Sequence, residues 1–182
     1  MHFATTTALL TAALAASVHA APSAPVLDDP NLIILHTFEL EHGTAYELGL
    51  KNSTAAAAAA TTEPEASRLR RRCGSNQVQC RNDNKSTYVA CDELIKDLDK
   101  DRHRLFDPSA IGWYHIDSWG TICYVTWPRT VPGLKQGHVV SAARKTLGTC
   151  NGGARVSGIA RDVNLNGVCT FQCLSSSSVC RS

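Results

Sequence analysis

Ile159-Ala160-Arg161-Asp162-Val163-Asn164-Leu165-Asn166-Gly167-Val168-Cys169-Thr170-Phe171-Gln172-Cys173-Leu174 sets the fold class of this chain. Two short segments rich in β-branched and aromatic residues flank Asn166-Gly167. Both central residues of a tight two-residue hairpin turn need positive φ, and Asn-Gly supplies them at little cost. Residues 159–165 and 168–174 therefore read as an antiparallel hairpin. One conflict is visible in its pattern. A plain two-residue turn puts Asp162 and Asn164 on the face of Cys169, Phe171 and Cys173. Either that face is mixed or a bulge shifts the register.

Upstream of this hairpin the hydrophobic period changes. Val140, Ala143, Leu147 and Cys150 recur at helical spacing, and Gly148 with Gly152-Gly153 ends the run. Thr121 to Trp127 alternates, with Cys123, Val125 and Trp127 on one face, and Pro128 and Pro132 close it. Tyr88, Cys91, Ile95 and Leu98 mark an earlier helix, with Leu94 beside them and Ser86 as its expected N-cap. The order helix, strand, helix, strand, strand predicts a small α+β domain, with two helices packed on one face of a mostly antiparallel sheet.

The chain has 182 residues, a net charge of +2 and eight cysteines, Cys73, Cys80, Cys91, Cys123, Cys150, Cys169, Cys173 and Cys180. All eight lie after Arg72. An even count with no C-x-x-C and no histidine pair at ligand spacing predicts four disulfides, and neither a metal nor a cofactor. Eight cysteines allow about 105 pairings, and spacing does not choose among them. The matching C-x6-C spacings at the two ends suit terminal strands laced to each other.

The N-terminal side fits an oxidising destination. Ala8 to Val18 is a small apolar core, and Val18-His19-Ala20 offers a signal-peptidase site after Ala20. Residues 21–72 hold 5 Lys and Arg against 7 Asp and Glu. Within them Leu32 to Leu40 and Thr44 to Leu50, joined at His42-Gly43, read as a second hairpin. An alanine run, Ala55 to Ala60, reads as linker and leads to Arg70-Arg71-Arg72. Cleavage after Arg72 is expected there, making residues 73–182 the mature domain and 21–72 a propeptide whose hairpin covers a sheet edge until secretion. The mature segment, with 13 Lys and Arg against 9 Asp and Glu, is too weakly basic to imply nucleic acid. Asn52 and Asn84 head glycosylation sequons.

Cys73-Gly74-Ser75-Asn76-Gln77-Val78-Gln79-Cys80, the Cys91-Asp92-Glu93-Leu94 helix, Cys123-Tyr124-Val125-Thr126-Trp127 and Gly158 to Cys169 together resemble the fungal secreted WD-like domain family, which is unrelated to WD-repeat propellers. The resemblance implies a secreted cysteine-rich fungal protein without an assigned activity. The order of helices and strands is also similar, in architecture alone, to the smut-virus killer toxin and the related necrosis-inducing fungal effectors.

Candidate site residues are sparse. No nucleophile elbow, H-E-x-x-H or phosphate loop is present. His103, His115 and His138 are the histidines after Arg72. Glu93, the one glutamate there, falls on the polar side of the first helix, so a ribonuclease-like site is not supported. Trp113, Tyr114, His115 and Trp119 fall in a stretch with Gly, Ser and Asp that reads as a loop, a patch suited to a sugar ring or a membrane interface. Lys135 sits in a projecting Pro-Gly loop, where a toxin could present it. The expectation is a secreted, monomeric, toxin-like or effector-like protein binding an extracellular target: a cell-surface protein, a membrane or a wall glycan. A polysaccharide-binding module and a small secreted hydrolase are the alternatives.

Overall fold

The computed structural model describes residue 27, residues 29–51 and residues 73–179. The expected signal segment with Ala20, the stretch from Asn52 through Arg71 and Arg72, and Cys180 lie outside the described residues. Among the described residues the elements run β1 (Leu32–Leu40), β2 (Gly43–Leu50), β3 (Gln77–Cys80), β4 (Ser86–Thr87), α1 (Tyr88–Lys100), β5 (Ala110–Asp117), β6 (Ile122–Thr126), α2 (Gln136–Thr149), β7 (Arg155–Val156), β8 (Gly158–Leu165) and β9 (Val168–Ser175).

Seven strands form one antiparallel sheet in the order β1-β2-β5-β6-β9-β8-β3, and β4 pairs with β7 separately. Both helices pack on one face of the large sheet, which gives the expected α+β fold. Ala90, Cys91, Leu94, Ile95 and Leu98 of α1 and Val139, Val140, Ala143 and Leu147 of α2 bury there with Val125, Ala160, Val163 and Leu174. The opposite face holds a separate cluster built on Leu32, Tyr46, Leu48, Tyr114 and Tyr124.

The local caps differ in detail from the sequence reading. Thr87, not Ser86, caps α1, its hydroxyl accepting from the Ala90 N–H at 3.3 Å. Ser86 is spent in β4, where its buried hydroxyl donates to the Ile122 carbonyl at 2.6 Å. At α2 the Lys135 N–H donates to His138 Nδ1 at 3.1 Å, so His138 serves the helix start. In the β8–β9 hairpin the register shifts between Ala160 and Val163, with Asp162 at φ 54. A bulge therefore resolves the facing conflict.

Three disulfides join described residues. Cys91–Cys123 ties α1 to β6, Cys80–Cys150 ties β3 to the end of α2, and Cys73–Cys169 ties the approach to β3 to the start of β9. Cys173 is also disulfide-bonded. Each bridge closes a long loop, the regime in which cross-linking restricts the unfolded chain most.

Strand β5 is the longest element that sequence patterning did not show; the short β3, β4 and β7 were also unread. Trp113, Tyr114 and His115 read as loop, yet they lie in the strand, Ala110–Asp117, on which the N-terminal hairpin pairs, from Gly43 opposite Asp117 to Gly49 opposite Ala110. Both faces of β5 are buried, so it lacks the alternation that marks a half-exposed strand. The β1–β2 hairpin thus extends the main sheet and fills both of its faces, with Ala45 and Leu48 fully buried.

Truncating Leu48 to Ala should lower unfolding free energy by about 2–5 kcal/mol in a denaturant titration of the full chain. A cost below about 1 kcal/mol would show that the hairpin is peripheral to the core.

Candidate functional site

Between the β1–β2 hairpin and the C-terminal half of α1 lies a cleft of about 480 Å³. Phe38, Leu40 and Trp113 supply its apolar wall and floor, and Glu39, Glu41, His42, Asp97, Lys100, Asp101 and Arg104 its rim. The volume falls in the range of small-ligand pockets. Phe38 stacks on Trp113 with centroids 4.8 Å apart, and the Arg104 guanidinium lies 3.8 Å above the Phe38 ring. A stacked arginine over an aromatic pair is geometrically fixed, so this wall is rigid. Four carboxylates against Lys100 and Arg104 give the rim a negative balance.

A polar cluster of Glu47, Asp107 and Ser109 adjoins the β2–β5 pairing at Trp113. Glu47, on β2 opposite Trp113, is buried and accepts a hydrogen bond from the Asp107 N–H. Burial pushes its carboxyl above the ordinary range, against the opposing pull of that hydrogen bond and of His36 and Arg104. Asp107 is held below the ordinary range by hydrogen bonds from the Ser109 hydroxyl and N–H.

His115 lies one residue pair further along β5 and is fully buried. Its Nδ1 sits 3.2 Å from Asp97 Oδ2, and its Nε2 sits 3.5 Å from Glu93 Oε2. Glu93, read as lying on the polar side of the first helix, is partly exposed and stands beside the buried His115. Glu93 and Asp97, one turn apart on α1, flank the helix's apolar stripe where it crosses β5. Asp97 also lines the cleft, so it connects the enclosed imidazole to the open site. The acidic i, i+4 pair was the available signal, but its partner was hidden in a strand that read as loop. Chemically, the cluster is a fully buried histidine flanked by two carboxylates that are each about a quarter exposed. Catalysis on a substrate would need at least one of its nitrogens within reach of the reacting atom.

The loop patch expected from the sequence does not form as a unit. Trp113, Tyr114 and His115 belong to β5 and are buried, because packing on a two-sided sheet outweighs their local turn-like flanks. Trp119 is 79% exposed at the β5–β6 turn. That turn is built from Asp117, whose carboxylate accepts from the N–H groups of Trp119 and Thr121 at 3.0 and 2.7 Å. Lys135 is exposed just ahead of α2, with its backbone bridged to Leu105. His103 is exposed, as is Asn84, in the connection between β3 and β4. Among the described residues, no group of three or more His, Cys, Asp or Glu side chains is arranged to hold a metal.

A family model described as Fungal WD-like matches residues 42–181. The match begins at His42, so it takes in β2. No curated protein and no solved structure matches the chain.

The raised Glu47 carboxyl has a stability consequence. The folded chain holds that proton to higher pH than the unfolded chain, so stability falls as pH rises from the ordinary value of 4.5 through the raised one, then levels. Glu47→Gln keeps an acceptor for the Asp107 N–H and removes the buried charge. It should raise the melting temperature by a few degrees at neutral pH and leave it unchanged at about pH 4. Equal gains at both pH values would show that the charge is not the cause.

Proposed function

The chain belongs to the fungal WD-like family, and we propose that it is a secreted, toxin-like or effector-like protein that works by binding an extracellular target through the hairpin–α1 cleft. The carrying observation is the pairing of that cleft with an enclosed histidine. The open site has an aromatic wall and a charged rim, while the His115 imidazole is fully buried behind the partly exposed Glu93 and Asp97 carboxylates. Such a site is suited to recognition rather than to turnover. Extensive cross-linking among residues 73–173 supports a destination where thiols oxidise. Among the described residues no helix is long and apolar enough to cross a membrane.

The rim points to the chemistry of the ligand. Glu39, Glu41, Asp97 and Asp101 exceed the two cations, and Arg104 is engaged over Phe38. A basic segment of a partner protein would be complementary, its aliphatic stems lying along Phe38 and Leu40. A second reading, retention on a wall polysaccharide, is favoured by Trp119, an exposed indole on a turn whose backbone Asp117 fixes. Trp113 no longer contributes to that reading, since its ring is buried.

Oligoarginine should bind the full chain and oligoglutamate should not, with indole fluorescence reporting through Trp113. Glu41→Lys combined with Asp101→Lys should weaken oligoarginine binding at least about tenfold, roughly 1.4 kcal/mol. Binding unaffected by the two reversals would remove the cleft from the reading. Trp119→Ala should abolish retention on insoluble glucan or chitin if the polysaccharide reading holds.

A further inference from the structure

We infer that the β1–β2 hairpin is a permanent part of the folded protein: when the segment between Lys51 and Cys73 is cut, the hairpin stays on β5, and the product is a non-covalent two-chain molecule. The edge of β5 is thus a strand-acceptor site, and its occupant is this chain's own hairpin. The inference stands whether or not the cleft binds a basic segment.

Four independent features of the β2–β5 junction lead there. Burial is the first. Ala45, Tyr46, Glu47 and Leu48 are each no more than 5% exposed, which is core rather than cover. Aromatic register is the second. Tyr46 stacks on Tyr114 at 4.6 Å on one face of the sheet, and Phe38 stacks on Trp113 at 4.8 Å on the other. A departing hairpin would expose both β5 rings and an unpaired strand edge, a combination that folded proteins avoid.

Shape is the third. Gly43 has φ +146, and a Cβ there would collide with the Ile116 carbonyl and crowd His115 Nε2. The strand therefore begins with the one residue that lets its backbone lie this close to β5. The fourth is the family match, which starts at His42 and so counts β2 within the shared domain. Residues 21–72 contain no cysteine, so nothing covalent would hold the hairpin after cleavage in the linker. These observations argue against discarding the hairpin, the fate expected for a propeptide.

The experiment replaces residues 66–72 of the full chain with a site-specific protease sequence, folds the protein and cuts it. Gel filtration in native buffer should give one peak containing both fragments. Denaturant without reductant should separate them, because no disulfide spans the cut. A Tyr46→Ala, Leu48→Ala double variant, cut in the same way, should shed the hairpin fragment at least tenfold faster. Loss of the hairpin from the cut parent protein, whether residues 73–182 then stay soluble or precipitate, would overturn the inference. Equal retention by parent and double variant would overturn the assignment of the β2–β5 surface as the acceptor.

Discussion

Strand β5 is clamped from both faces by aromatic contacts, and the rest of the molecule is arranged around that clamp. On the face away from the helices Tyr46, Tyr114 and Tyr124 lie opposite one another across β2, β5 and β6, their rings 4.6 and 4.8 Å apart. Burial pushes the Tyr114 phenol well above its ordinary value, so it stays neutral within the row. On the helix face Trp113 is held between Phe38 and the edge of Phe106, which in turn meets Trp127. Each aromatic pair contributes about 0.5–1.5 kcal/mol beyond its buried area. Two such pairs join the hairpin to β5, together comparable with the about 2–4 kcal/mol of a typical disulfide. The N-terminal part of the sheet thus gains from ring stacking what the C-terminal part gains from cross-links.

This division explains where the cysteines are. Cys91–Cys123 fixes α1 to β6, and the other two bridges between described residues fix β3, β9 and the end of α2. Strand β3 is four residues long and largely exposed, with little apolar surface to hold it on β8. Covalent closure suits such an edge. The hairpin buries Ala45 and Leu48 completely and needs no bridge.

Legibility in the sequence followed the same division. Both helices were readable because each has one buried face and one wet face, which leaves a period of 3.6, and the β8–β9 hairpin was readable from its Asn166-Gly167 turn. Even the bulge at Asp162 was visible as a facing conflict. Ala110 to Asp117 left no such trace. Strand β5 is buried on both faces, and Gly112, His115 and Asp117 interrupt the apolar run by which such a strand is otherwise recognised. Gly112 is required because a Cβ there would press on Thr126 and the Val125 carbonyl. Asp117 is required because its carboxylate builds the turn to β6. Both residues imitate loop composition for reasons that belong to the sheet. The candidate site was hidden by the same cause, since Trp113 and His115 take their meaning from the strand that carries them.

The cleft inherits this dependence. Its one wall is α1, covalently anchored through Cys91, and its other is β1, which reaches the sheet only through β2. Asp97 lines the open site and also meets His115 Nδ1, while Gly43 leaves the room beside Nε2 that a Cβ would crowd. A shift of the hairpin along β5 would therefore alter the Phe38–Trp113 stack, the Arg104 seat over Phe38 and the enclosure of His115 together. Because strand side chains alternate, a slip by one residue would turn Ala45 and Glu47 to the tyrosine face and Tyr46 into the helices. The register is fixed by that mismatch, and the charged rim keeps its geometry for the same reason that the core keeps its packing.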